Sequence, residues 1–241
     1  MTTLLYLTDS YLREFEARVT GVDTEAGAIA LDQTAFYPGG GGQPHDTGWL
    51  EVEGRRVPVT RVKRAGDDVW HYVEWPRDAT WPEAGAAARG ELDWDRRYLL
   101  MRTHTALHIL CGVIWRDYQA AVTGGNMQPG RARMDFEFER MQAELVHEIE
   151  EKINREVEAA RDIRVQILPR EEALQIPDLI RTKINLLPPE ITEVRTVEIV
   201  GLDLQADGGT HVANTREVGE IKIVDYKSKG RINKRLEIAL A

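Results

Sequence analysis

The chain has 241 residues, 42% of them apolar and 29% charged, a length and composition that suit one large globular domain or two small ones. Its only cysteine, Cys111, excludes a disulfide framework and fits a reducing compartment. A net charge of −9 argues against general affinity for nucleic acid, and no run approaches the ~18 apolar residues needed to span a bilayer.

The opening MTTLLYLTDSYLREFE has neither the basic start nor the apolar stretch of a signal peptide, so a soluble, cytoplasmic protein without a membrane partner is expected. Five short runs of alternating apolar residues follow: Phe15 to Val22, Ala28 to Gln33, Trp49 to Val52, Val57 to Val62 and Val69 to Trp75. Gly, Asp and Pro punctuate them, and five or six such strands predict a small β-barrel. Trp75 to Gly90 is rich in Pro, Ala and Gly, which places a domain boundary at its end: residues 1–90 as barrel, 91–241 as a second domain. The pattern predicts a helix from Asp95 to Tyr118, with Tyr98, Met101, Thr105, His108, Cys111 and Trp115 near one face. Arg131 to Phe138 alternates as a strand, and Gln142 to Ala160 reads as an acidic amphipathic helix with Leu145, Ile149, Ile153 and Val157 inward. A strand at Ile163 to Leu168, a short helix at Arg170 to Gln175 and strands at Glu193 to Ile199, Glu217 to Val224 and Arg235 to Leu240 complete the chain. Helices and strands without strict alternation indicate an α+β domain with a mixed or antiparallel sheet.

His104 and His108 are four residues apart on the long predicted helix, so their Cβ atoms share a face about 5–6 Å apart and two imidazoles can meet one metal. Taken alone, the pair fits two structural histidines as well as a metal site. Thr105 stands where a zinc metalloprotease would carry Glu, which excludes that family. A third candidate, His211, follows Asp207-Gly208-Gly209-Thr210 in a loop that glycine lets approach a metal closely. Cys111 lies roughly 10 Å along the axis from His104, too far to share an ion with both histidines, and reads as a small buried residue. His71 and His147 read as surface residues of a strand and a helix, and His45 as a loop residue. The glycines Gly39 to Gly42 read as a flexible turn, and no Lys-Ser/Thr follows to make a phosphate loop. From Lys222 to Arg235 six cations face Asp225 alone, either as a solvated strand edge or as a phosphate-contacting patch built on Lys229, Arg231, Lys234 and Arg235.

RTHTALHIL, followed about a hundred residues later by GGTHVANTREVG, resembles the AlaX-type alanyl-tRNA trans-editing proteins, themselves similar to the editing domain of alanyl-tRNA synthetase. FYPGGGGQPHDTG, residues 36–48, resembles the glycine-rich motif of the longer members, which carry an added N-terminal barrel. Three motifs in the same order, across essentially the whole chain, are far more specific than any one. The resemblance implies a hydrolase that removes serine, and also glycine, from tRNA(Ala), with Zn2+ held by His104, His108 and His211. It implies that Gly40, Gly41, Gly42 and Gln43 bring the barrel toward the editing pocket or the tRNA end.

One position departs from the family pattern: Asp207 stands where the family usually has cysteine. A carboxylate ligates zinc through oxygen as a harder donor than thiolate. Three roles for Asp207 stay open: metal ligand, partner of a ligating histidine, or base for the attacking water. Zinc in such a site activates water, polarises the ester carbonyl or positions the substrate amine. Thr123 is the candidate for hydrogen-bonding the serine hydroxyl, against the alternative of a turn threonine. Two other functions remain: a zinc hydrolase of a small ester or amide, and a tRNA-binding module without catalysis.

Overall fold

The first part of the chain is built from short strands, β1 (Thr3–Leu4), β2 (Glu14–Asp23), β3 (Ala28–Leu31), β4 (Gln33–Thr34), β5 (Gly48–Val52), β6 (Arg55–Ala65), β7 (Asp68–Val73) and β8 (Ala87–Leu92), of which β5 and β7 alternate strictly and β3 is buried throughout. On β2, Phe15, Ala17 and Val19 are buried while Glu14, Glu16 and Arg18 face solvent. The computed structural model describes residues 1–138, 141–180 and 191–241. It divides into two compact units, Met1–Leu99 and Leu100–Ala241.

In the first unit, six strands close into an antiparallel barrel in the order β2-β3-β7-β6-β5-β8. Its interior is filled by Phe15, Val19, Ile29, Leu31, Phe36, Leu50, Val57, Val59 and Val62. The closing strand β8 begins inside the Pro/Ala/Gly-rich stretch and runs across its end, where the domain boundary is expected from the sequence. Gly90 explains why it looked unlike a strand: a Cβ there would sit 2.3 Å from the Phe15 ring, so glycine makes room for that side chain. His71, expected on a strand surface, is fully buried. Its Nδ1–H donates to Ile29 O at 3.0 Å and its Nε2 meets the Thr34 hydroxyl at 2.9 Å.

The second unit contains most of the long helix α1 (Trp94–Tyr118), then β9 (Val122–Gln128), β10 (Arg131–Glu137), α2 (Ala143–Glu158), β11 (Ile163–Pro169), the short α3 (Arg170–Ala173), β12 (Glu193–Ile199), β13 (Asp203–Ala206), β14 (Ile221–Ser228) and β15 (Asn233–Leu240). Among the described residues the strands form two antiparallel sheets, β14-β15-β10-β9 and β11-β12-β13. The architecture is therefore α+β with a barrel, as expected from the sequence. The expected single apolar face of α1 is corrected: every residue from Thr103 to Ile114 is buried, so the helix is covered on all sides. α2 buries Val146, Ile149, Ile153 and Val157, with Val146 taking the inward place expected for Leu145. Its Asn154 side chain bonds both the N–H and the C=O of Ile221, covering the edge strand β14. The expected strand at Glu217 begins later, because Thr215–Val218 is a 3-10 turn capped by Asn214 and Glu217.

No helix among the described residues is long and apolar enough to cross a membrane. Burial pushes the His71 pKa down to about 4, partly opposed by its bond to Ile29. The unfolded chain takes the proton first, so this contribution to stability is complete above pH 6.5 and is lost as pH falls toward 4. Between pH 7 and 5 the loss is about 2 kcal/mol. Urea unfolding at both pH values should show that His71→Gln removes about this much of the pH-dependent decline. A variant with the same pH dependence as the parent would remove His71 as its source.

Candidate metal centre

His104 and His108 project from successive turns of α1, with ring centroids 5.1 Å apart. The loop after β13 brings His211 to 4.3 Å from the His104 ring and 4.7 Å from that of His108. Asp207 begins the same loop: its Oδ2 lies 3.0 Å from His211 Nε2 and its Oδ1 3.6 Å from His104 Nε2. The four donor atoms all fall within 4.8 Å of one another. Metal–ligand bonds of ~2.0–2.2 Å in a tetrahedron place neighbouring donors roughly 3.3–3.5 Å apart. The donor set therefore fits one divalent ion with modest movement.

Each donor is held by a partner outside the cluster. The Gly209 N–H donates to Asp207 Oδ2 at 2.8 Å, an Asx turn that the glycine pair permits. Arg195, buried on β12, donates from its guanidinium to the Asp207 carbonyl at 2.9 Å, while its own carbonyl accepts the Asp207 N–H at 3.0 Å. The Thr105 hydroxyl lies 3.2 Å from His211 Nδ1 and accepts from the Val212 N–H. His108 Nδ1 lies 3.0 Å from Asp203 Oδ2, and the His104 ring bonds the Thr210 backbone. These partners leave the second ring nitrogen of each histidine for the cluster.

Burial governs the protonation of the cluster. It pushes the His104 pKa down to about 4, against the pull of the Asp207 carboxylate, and the charges of His108 and Arg195 lower it further. Burial and the neighbouring His104 hold His211 well below the usual histidine value. Neutral imidazole is the form that ligates a metal. Burial opposes the charge of Asp207 too, but His104 and His211 outweigh it and keep the carboxyl well below its usual range. For His108, burial is outweighed by the Asp203 hydrogen bond and charge, and the pKa is raised.

The other sequence candidates are not among the four donors. Gly40 and Gln43 bridge each other across the exposed pair Gly41-Gly42, both at positive φ (57° and 91°), as a two-residue hairpin turn requires. This segment is anchored rather than loose. Asp46 accepts the Tyr37 N–H at 2.7 Å, and buried Arg97 donates to both Asp46 oxygens and to Ser10 O. Gln43 itself is buried. Thr123 lies exposed on β9, its hydroxyl donating to Asn233 Oδ1 at 2.9 Å. Of the four basic candidates, Lys229 and Arg231 are exposed near the turn between β14 and β15. Lys234 is buried and donates to Gly230 O and Arg231 O, and Arg235 forms a two-point pair with Asp135.

The sequence pattern puts Thr105 on the helix face of His108 without giving it a role, and it does not single out Asp203 or Arg195. Both missed residues reach the cluster through the pairing of β12 with β13, which leaves no local spacing to read.

Residues 7–96 match the family described as tRNA synthetases class II (A), and residues 194–237 match the threonyl and alanyl tRNA synthetase second additional domain. The chain is 43% identical over 240 residues to the alanyl-tRNA editing protein AlaX-M of Saccharolobus solfataricus, covering 98% of each. It is 39% identical over 245 residues to that of Methanosarcina acetivorans, covering 100% of this chain and 99% of the other. The alanine–tRNA ligase of Thermococcus kodakarensis is 40% identical over 226 residues, which are 92% of this chain but 24% of the ligase.

Titration of the metal-free protein with Zn2+ should show one ion taken up per chain through this cluster. A double variant, His104→Ala with His108→Ala, should take up none, and Asp207→Ala should bind more weakly. Because His108, whose pKa is raised, must yield a proton to serve as a ligand, affinity should rise with pH as His108 deprotonates. Undiminished uptake by the double variant would move the metal site elsewhere.

Proposed function

The chain belongs to the AlaX-M family of alanyl-tRNA editing proteins, and on that premise we propose that it is an aminoacyl-tRNA deacylase that clears mischarged tRNA(Ala) in the cytoplasm. Its substrates on this reading are Ser-tRNA(Ala) and Gly-tRNA(Ala), and its reaction is hydrolysis of the ester between the amino acid and the terminal ribose. The observation that carries the reading is the convergence of two distant motifs, RTHTALH and DGGTH, on one four-donor cluster. The donor chemistry supports zinc, with His104, His108, His211 and Asp207 as its ligands. Zinc bound there supplies Lewis acidity, either lowering the pKa of a water toward about 7 or polarising the ester carbonyl.

The chain's own groups do the remainder. Asp207, kept ionised among the imidazoles, is the proposed fourth ligand rather than a detached base, a reading supported by its bonds to the Gly209 N–H and Arg195. The hydroxyl of Thr123, in exchange with Asn233, is the proposed contact for the serine side chain. A site that hydrogen-bonds a substrate hydroxyl discriminates against the analogue that lacks it, which protects correctly charged Ala-tRNA(Ala). Lys229, Arg231 and the Gly40–Gln43 hairpin are the proposed contacts for the tRNA. Lys234 and Arg235 support that surface through Gly230, Arg231 and Asp135.

The test follows amino-acid release from Ser-, Gly- and Ala-tRNA(Ala), with zinc content measured alongside. Serine and glycine should be released and alanine retained, and the double histidine variant should lose activity and zinc together. Thr123→Val should slow serine release while leaving glycine release unchanged. Zinc-loaded protein that releases nothing from any of the three would overturn the reading in favour of a small-ester hydrolase or a binding module.

A further inference from the structure

Asp203 has no part in the donor set, yet it is a buried carboxylate directed at one of the donors. It opens β13, four residues before Asp207, and its Oδ2 lies 3.0 Å from His108 Nδ1. The Gln205 amide donates to the same oxygen at 2.7 Å, fixing the carboxylate in place. A second feature shows that the approach is built into the packing. Gly112, one turn along α1 from His108, faces the turn that carries Asp203. A Cβ on Gly112 would lie 2.8 Å from Leu202 Cγ and 3.0 Å from Asp203 Cβ. A larger residue there would force Leu202 and Asp203 to shift.

We propose that Asp203 is a positioning residue for the metal centre: it holds the Nδ1–H of His108, fixes the ring orientation and aims Nε2 at the ion, with Gly112 granting the close approach this needs. A ligating imidazole whose other nitrogen donates to a carboxylate is both oriented and made more basic, and loss of such a partner costs about 10–100-fold in metal affinity. The three histidines are thereby held unequally. Outside the donor cluster, His211 leans on the Thr105 hydroxyl, His104 on the Thr210 backbone and His108 on the Asp203 carboxylate. The inference rests on the zinc reading above, and its test does not depend on deacylation.

The measurement is zinc affinity by chelator competition, together with the visible spectrum of the Co2+-loaded protein. Both are read on the parent, Asp203→Ala, Asp203→Asn and Gly112→Ala, with thermal unfolding of each metal-free protein. Asp203→Ala should weaken zinc binding about 10–100-fold and alter the cobalt spectrum. Asp203→Asn, which keeps an acceptor for Nδ1–H but not the charge, should fall between it and the parent. Gly112→Ala should act in the same direction as Asp203→Ala. A purely structural role would lower the unfolding temperature but leave the affinity and cobalt spectrum of the folded protein unchanged, and that result overturns the proposal. Should Asp203→Ala fail to fold, parent-like affinity and spectrum in both remaining variants would overturn it equally. A parent that binds no zinc removes this inference and the zinc reading together. A parent that binds zinc with Asp203 variants unaffected removes this inference alone.

Discussion

A helix with no solvent face must satisfy its polar side chains within the protein, and in the second unit this requirement decides where the chain runs. From Thr103 to Ile114, α1 is buried on every side, yet it carries Thr103, His104, Thr105 and His108. Leaving any of these without a partner would cost about 1–3 kcal/mol. Thr103 is met by the Gly130 N–H, Thr105 by the Val212 N–H and His211, and His108 by Asp203. Most of these partners come from residues 203–212. The loop that completes the donor cluster is thus pinned to the helix by hydrogen bonds at Thr105 and His108.

What the sequence revealed follows from the range of each interaction. The His104–His108 pair is set by helix periodicity and could be read directly, as could the inward Phe15, Ala17 and Val19 of β2. β8 could not, because its inward position at Gly90 is vacant of side chain and filled by Phe15 from another strand. β9 reads as a turn because VTGGN combines two glycines with a polar rim. Asp203 and Arg195 escaped notice for a related reason. Their contacts depend on strand register, Glu198 opposite Leu204 and Thr196 opposite Ala206, which no local spacing encodes. The basic C-terminal run misled in the other direction: counting cations overstated it, since Lys222, Lys227 and Arg235 pair with Glu220, Asp225 and Asp135.

On the proposed zinc reading, Asp207 would keep the charge of the thiolate usual at that position while changing the donor atom. A dication with three neutral imidazoles and one carboxylate carries the same net charge as with three imidazoles and one thiolate. On that reading the net charge facing an ester substrate would be preserved, and the difference would lie in the hardness of the fourth donor. Arg195 fits this arrangement. Its guanidinium holds the Asp207 carbonyl at 2.9 Å and stands 3.8 Å from the carboxylate, where it orients the group without the short contact that would compete for it.

The same donor set has a bearing on oxidation. Thiolate ligands are where peroxide attacks many zinc centres, since oxidised sulphur no longer holds the metal. Here the cluster has three nitrogen donors and one oxygen donor, and the chain's single thiol, Cys111, is buried outside it. Oxidants therefore find no sulphur in the cluster to convert, and on the zinc reading its occupancy would answer to acidity and metal supply instead of redox poise. Proofreading built on such a centre would persist through oxidative stress, when thiol-dependent centres fail.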